Sequence, residues 1–377
     1  MKILQLSSAR TFGGGERHFV DLSNALAERG HEVYAALSPA SPLREKLARL
    51  PDARIITPPL RNALDLASAT QLAHFIREQK IEIVHAHLAR DYPLAAYAAR
   101  RAGDVPFILT RHVPFAMSGL HKFTLAKVSR VIAVSEGVAR GLREQRIFPD
   151  DKIRVIPNGL SIAQLDDSLK DFDRDAFRQT LPVSAPLLVG TVGELSSVKG
   201  QEEFVRAAAL IIKRENFADA QFLIIGDDKS QGAKTRALLE KLIAEQGLQK
   251  HVLLLGHVSE LTPLLASLDL YVSASRAEAF GLAMLEALMC GVATVATATD
   301  GARELIDDGI TGKLVALGLV DTLAHAILHL LQNEDERARI GERAREESRA
   351  RFSLQRMIDA TEKVYRECLR QDKAERT

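Results

Sequence analysis

Two doubly wound parallel-sheet domains of the α/β class are what this sequence predicts, on three observations. Short aliphatic runs alternate with amphipathic helical stretches. A polar segment interrupts the alternation at residues 161–185, and a second strand–helix series follows it.

The first series places strands at residues 2–6, 32–37, 81–85, 107–109, 131–134 and 154–156, with helices such as 16–29 and 67–79 between them. Its start, Met1-Lys2-Ile3-Leu4-Gln5-Leu6, reads as a short buried strand and is too brief for the apolar core of a signal peptide. The interruption is polar and acidic and closes on Pro182 and Pro186, the composition of a linker. The second series places strands at residues 187–192, 222–225, 252–255, 270–272, 293–297 and 313–315, and from residue 334 the chain reads as charged helix. The expected domains are 1–165 and 166–354, with a last helix at about 355–377 able to pack back on the first. Open parallel sheets bind ligands outside their strand C-terminal ends, so the sequence predicts an active site between the two domains.

The bulk properties narrow the class. Apolar residues make up 46% and charged residues 26%, an ordinary globular mix. No apolar run approaches the ~18–20 residues that span a bilayer. The only cysteines, Cys290 and Cys368, are too few for a disulfide framework and point to a reducing, cytoplasmic compartment. A net charge of +1 conceals an asymmetry: residues 1–165 hold 23 Lys and Arg against 15 Asp and Glu, and the remainder 27 against 34. A basic first half suits an anionic partner such as a membrane surface, a lipid phosphate or a nucleic acid. Residues 113–130 mix Phe, Leu, Lys and Arg and read either as a core-facing helix or as a surface that touches a membrane interface.

Glycine-rich loops follow the first strand of each series. Gly13-Gly14-Gly15 precedes a helix, where backbone can approach a ligand and the helix start favours an anion. It is no dinucleotide fingerprint, because the third small position holds His18. Gly226-Asp-Asp-Lys-Ser-Gln-Gly232 is no phosphate-binding P-loop, because it lacks the terminal Lys-Ser/Thr. In Gly193-Glu194-Leu-Ser-Ser-Val-Lys199-Gly200, a lysine near a strand end can act as a point charge against a phosphate.

The acidic pair Glu278 and Glu286 brackets an apolar, Gly-containing segment. The preceding strand runs into a loop that holds Glu278, and Gly281 opens a helix that ends before Gly291. Glu286 then lies one and a half turns into that helix, and the free N–H groups near Phe280, Gly281 and Leu282 suit a diphosphate. The carboxylates suit hydroxyl donors such as a ribose and a hexose. His85 and His87, two apart on a strand, point the same way, but no third metal ligand is apparent in the sequence. Asp173-Arg-Asp175 reads as solvated charge in the linker.

From residue 1 to about 320 the chain resembles the family 4 (group 1) glycosyltransferases, a retaining family with two facing Rossmann-like domains, the GT-B architecture. The resemblance rests on an ordered set: Gly13-Gly-Gly-Glu16, Arg29-Gly-His-Glu-Val33, Ile83-Val-His-Ala-His87, Thr110-Arg-His112 and Val155-Ile-Pro-Asn-Gly159. Gly193…Lys199-Gly200, Leu268-Asp-Leu-Tyr-Val272, Glu278…Glu286 and Gly301…Gly312 complete it.

The resemblance implies a transferase that moves a sugar from a nucleotide donor, such as a UDP- or GDP-sugar, to a glycan or lipid-linked acceptor in cell-envelope polysaccharide or lipopolysaccharide synthesis. It implies contacts from Glu278 to donor-sugar hydroxyls and from Glu286 to the ribose. It implies close approach of Phe280, Gly281 and Leu282 to sugar and phosphate, and neutralisation of the diphosphate by Lys199. Gly14 and Gly15 would face the donor phosphate or the acceptor, and His112 the reacting sugar carbon. No metal, no cofactor and no nucleic acid are expected, and contact with the inner membrane would be peripheral. Two departures stand out: Glu194 occupies a position where the family carries Arg, and Asp228 one where it carries Gly. The alternatives are a sugar-nucleotide epimerase of the same build and a non-catalytic sugar-nucleotide binder, which Glu194 would favour.

Overall fold

The computed structural model describes residues 1–376 apart from Asn216 and Ser259, and leaves out the side chains of residues 373, 375 and 376. The chain forms two compact units, Met1–Gly159 with Leu354–Thr377 and Leu160–Ser353.

In the first unit seven parallel strands are β1 (Lys2–Ser7), β2 (Glu32–Leu37), β3 (Ile55–Ile56), β4 (Ile83–Ala86), β5 (Phe107–Arg111), β6 (Arg130–Ala133) and β7 (Ile153–Val155). Their order is β3-β2-β1-β4-β5-β6-β7. β1 pairs with β2 on one side and β4 on the other, so the winding reverses between β1 and β4. Ile3, Leu4, Val33, Ile83 and Ile108 are buried, as expected of strands covered on both faces. The helix Leu354–Arg376 belongs to this unit: Met357, Ile358, Val364, Tyr365 and Cys368 join its core. Arg29 holds that helix through Asp359 (2.7 Å) and Glu362 (3.0 Å).

The second unit has six parallel strands: β8 (Leu187–Val192), β9 (Ala220–Ile225), β10 (Val252–Gly256), β11 (Leu270–Ser273), β12 (Thr294–Thr297) and β13 (Lys313–Val315). The order is β10-β9-β8-β11-β12-β13, and the winding reverses between β8 and β11. Phe204, Phe222, Val272, Val295 and Ile327 centre its core.

The segment expected to be a linker is helical. Residues Ile162–Ser168 and Arg174–Gln179 form two short helices. Each has a side-chain cap: Ser161 Oγ accepts from the Gln164 amide (3.2 Å), and Asp173 Oδ1 from the amides of Asp175 (2.9 Å) and Ala176 (3.0 Å). Arg174 and Arg178 then grip Asp269 at 2.7 and 2.6 Å. Asp173 is therefore a helix cap, and the first unit ends at Gly159, short of the expected 165. The four-residue helix His121–Thr124 leaves Phe123 exposed, as are Val113, Phe115 and Leu120, whereas Met117, Leu125 and Val128 are buried, so residues 113–130 are not one core-facing helix but a stretch with both exposed and buried apolar positions. Among the described residues no helix is long and apolar enough to cross a membrane.

Candidate functional site

In an open parallel sheet, loops leaving the strands at a winding reversal diverge and open a crevice beyond their C-terminal ends. In the second unit those strands are β8 and β11, and they deliver the predicted residues.

The loop after β8 carries Gly193, Glu194, Lys199 and Gly200. Gly200 sits in the left-handed region (φ +68°), and a Cβ there would overlap the Ala274 carbonyl just past β11. The Arg276 amide donates to the Val198 carbonyl (2.8 Å), which fastens the two loops together. Lys199 Nζ donates to Glu278 Oε2 at 2.5 Å, both side chains partly shielded. The structure thus unites two residues that lie 79 positions apart.

Gly281, at φ +97°, caps the helix Leu282–Met289 and has no side chain with which to satisfy its first amides. Those amides and the helix dipole make the turn Phe280-Gly281-Leu282 receptive to an anion, beside Lys199 and Glu278. Phe280 is itself buried and stacks edge-on to Phe352 at 5.7 Å. Its backbone lies so close to Gly301 that a Cβ at position 301 would meet it at 2.7 Å. Glu286 is 2% exposed and accepts a hydrogen bond from Thr262 Oγ1. A charged carboxylate so deeply placed must be compensated by donors, and Thr262 is one that sequence inspection did not identify.

Glu194 does not meet Arg276. Arg276 is forked onto Glu203 Oε1 (2.7 and 2.5 Å), whereas Glu194 Oε2 lies 3.6 Å from Lys229 Nζ.

The first unit gathers its own residues at the β1–β4 reversal. Gly14 opens the helix Gly14–Glu28, and a Cβ at Gly15 would touch His112 Cγ at 3.4 Å. His112 follows β5 and donates from Nε2 towards His87 Nδ1 (3.5 Å). His87 donates from Nε2 to Gln5 Oε1 (2.8 Å), and His18 from Nδ1 to Asn158 Oδ1 (2.8 Å). Tyr365 accepts from Gln5 Nε2 (3.1 Å) and donates to His85 Nδ1 (2.6 Å), and His85 Nε2 reaches Thr110 Oγ1 (2.7 Å). The result is one buried chain from His112 to Thr110, with the His18–Asn158 pair packed beside it, the His18 ring centroid 4.7 Å from that of His112, and in it the rings are neutral. Burial, opposed by the Asn158 contact, lowers His18 to about 4. Burial first, then the neighbouring rings, hold His85, His87 and His112 well below the ordinary histidine range.

His85, with both ring nitrogens engaged by Tyr365 and Thr110, is not the partner of His87 in a ligand set; His112 and His18, the latter on the helix after β1, take that place. One nitrogen from each of His18, His87 and His112 lies within 4.8 Å of the others, a set a divalent d-block cation could use. His18, 69 positions before His87, and Asn158 are further residues missed from sequence; only the Ile-Pro-Asn-Gly motif marked the second of them.

The chain as a whole matches known protein families and solved structures. The family described as Glycosyltransferase Family 4 matches residues 12–164, and the one described as Glycosyl transferases group 1 matches residues 173–347. The N-acetyl-alpha-D-glucosaminyl L-malate synthase of Bacillus anthracis is 28% identical over 96% of each chain. A lipopolysaccharide core biosynthesis glycosyltransferase of Rhizobium meliloti is 26% identical over 92% of this chain and 94% of its own. Among solved structures, a glycosyltransferase from Rickettsia africae superposes with TM-score 0.85 at 25% identity, covering 97% of this chain and 98% of its own. Anabaena HepE in complex with UDP and glucose does so with TM-score 0.84 at 23% identity, over 96% and 98%. The chain belongs to the group 1, family 4 glycosyltransferases of two-domain Rossmann-like build, and it is a sugar-transferring enzyme.

Proposed function

We propose that the chain moves a sugar, with retention of anomeric configuration, from a UDP- or GDP-sugar to a glycan or lipid-linked acceptor in cell-envelope polysaccharide synthesis. The observation that carries the donor half is the Lys199–Glu278 pair beside the Gly281 helix start. Breaking a sugar C1–O bond releases a nucleoside diphosphate and leaves an oxocarbenium-like centre. A cation and fixed backbone dipoles aimed at the leaving diphosphate lower that barrier. When phosphate takes the lysine, Glu278 is freed for sugar hydroxyls, while Glu286 turns to the ribose. His112 is proposed to steady the transferred sugar. Lys199 supplies the neutralising charge, so turnover is proposed to need neither metal nor cofactor.

The lipid-linked acceptor is supported by the exposed Val113, Phe115, Leu120 and Phe123 on the basic first unit, which suit peripheral contact with the cytoplasmic face of a membrane. Several relatives are named for lipid or lipopolysaccharide acceptors. No nucleic-acid partner is proposed.

The test is release of nucleoside diphosphate from a panel of UDP-, GDP-, ADP- and dTDP-sugars, with and without EDTA, in the presence of a bacterial lipid extract. Acceptor-stimulated release from one donor, unaffected by EDTA, with a product that keeps the donor's anomeric configuration by NMR, is expected. Binding without any release would make the protein a donor binder and overturn the reading.

A further inference from the structure

We infer that Lys229 is a second cation of the nucleoside-diphosphate site, compensating the charge that Glu194 brings to it. The inference rests on the donor-site reading given above.

The loops after β8 and β9 are locked together at their backbones. Gly193 donates to the Ile225 carbonyl (2.9 Å) and Leu195 to the Asp227 carbonyl (2.9 Å). Gly226 adopts φ +142°, and a Cβ there would overlap the Gly193 carbonyl. Gln201 Nε2 holds the Glu194 carbonyl from the other side (3.0 Å). The turn Gly193–Glu194 is therefore fixed, and two lysines flank it. The Lys199 stem passes over Gly193, 3.3 Å from where a Cβ would stand, and Lys229 Nζ reaches Glu194 Oε2 at 3.6 Å.

The acidic neighbours of Lys229 in its own loop are engaged elsewhere. Asp228 accepts from the amides of Ser230 (2.8 Å) and Arg236 (2.7 Å). Asp227 Oδ2 faces His257 Nδ1 at 3.9 Å. Glu194 Oε2 faces Lys229 in a half-exposed and long pair that solvent screens. Arg276 is withdrawn by its double contact with Glu203, a residue with 15% side-chain exposure. A diphosphate beside Gly193 would repel the Glu194 carboxylate and attract both ammonium groups. The geometry lets Lys229 exchange a weak carboxylate contact for a phosphate one while it still screens Glu194.

The experiment titrates wild type, Lys229→Gln, Glu194→Gln and Lys199→Gln with UDP and GDP, and with uridine and guanosine as uncharged probes, at several salt concentrations. Lys229→Gln is expected to weaken the preferred diphosphate about tenfold and to flatten its salt dependence, with nucleoside affinity unchanged. Glu194→Gln is expected to tighten it several-fold. Thermal melting shows whether each variant is folded; Lys229, 35% exposed, is placed to tolerate replacement. If Lys199→Gln loses affinity while Lys229→Gln keeps it, the inference is overturned and the donor site stands. If neither diphosphate binds wild type, or Lys199→Gln retains full affinity, the donor-site reading fails and takes the inference with it.

Discussion

Lys199 reaches across the β8–β11 winding reversal to Glu278, Nζ to Oε2 at 2.5 Å, and so joins the two loops a ligand at that crevice would have to separate. The pair keeps a cation and an anion partly shielded in one place, each held by the other. A substrate that offers a phosphate to the lysine and hydroxyls to the carboxylate replaces both halves of the contact.

Glu278→Gln tests the carboxylate half. It keeps the shape and removes the charge, so Lys199 remains free for phosphate. The nucleoside diphosphate should bind as well as in wild type or more tightly. The value of kcat/KM for the sugar nucleotide should fall by about two orders of magnitude, the loss of interactions made chiefly in the transition state. Titration calorimetry alongside steady-state rates separates the two effects. Equal loss of diphosphate binding would remove Glu278 from the sugar side.

Glu286 is buried and paired with Thr262, which fits a carboxylate positioned for vicinal hydroxyls rather than for solvent. Glu286→Gln should weaken the ribonucleotide by roughly 10–100-fold, the size of a lost charge-assisted hydrogen bond. The same substitution should change little for a nucleotide lacking the ribose hydroxyls. An equal penalty on both would show that Glu286 acts through the fold.

The histidine network makes the first unit acid-sensitive. His18, His85, His87 and His112 are neutral in the fold and have lowered pKa values, that of His18 about 4. The unfolded chain takes up protons on these rings as pH drops below about 6.5, whereas the folded chain resists. Their contribution is complete above about pH 6.5 and is lost as pH falls towards 4, at up to about 1.4 kcal/mol per pH unit for each ring. Chemical denaturation in EDTA at stepped pH values should show this slope, and His18→Asn should reduce it by about one proton. An unchanged slope in the variant would contradict the neutral network.

Tyr365 ties the last helix to that network through Gln5 and His85. Tyr365→Phe leaves two buried polar groups short of a partner and should cost about 1–3 kcal/mol. Hydrogen exchange is the right readout, because a chain of two units need not unfold in one step. Faster exchange should appear in β1 and β4 and spare β8 and β11. Uniform acceleration across both units would contradict the assignment of this helix to the first.

Much of the fold was legible because long, largely buried strands write themselves as apolar runs. β2 and β8, six residues each, have the bounds expected from sequence, as does the short, half-buried β13, and the doubly wound pattern follows from the alternation. β3, two residues long, has no periodicity to read. The helices in 161–185 were misjudged because their stability lies in Ser161 and Asp173 caps and in the distant Asp269, which a polar composition conceals. The site divides the same way. Glu278, Glu286 and Lys199 stand in ordered motifs. Thr262, Lys229 and His18 gain their roles from partners 24, 35 and 140 positions away, and single-sequence spacing says nothing about those pairings.

The most direct test of the donor site is the rate of nucleoside-diphosphate release by Lys199→Ala relative to wild type, with the sugar nucleotide that the wild type consumes. The site described here predicts loss of turnover by at least about two orders of magnitude, since the leaving diphosphate forfeits its cation in a partly shielded site. A folded Lys199→Ala protein that turns over at the wild-type rate would contradict it.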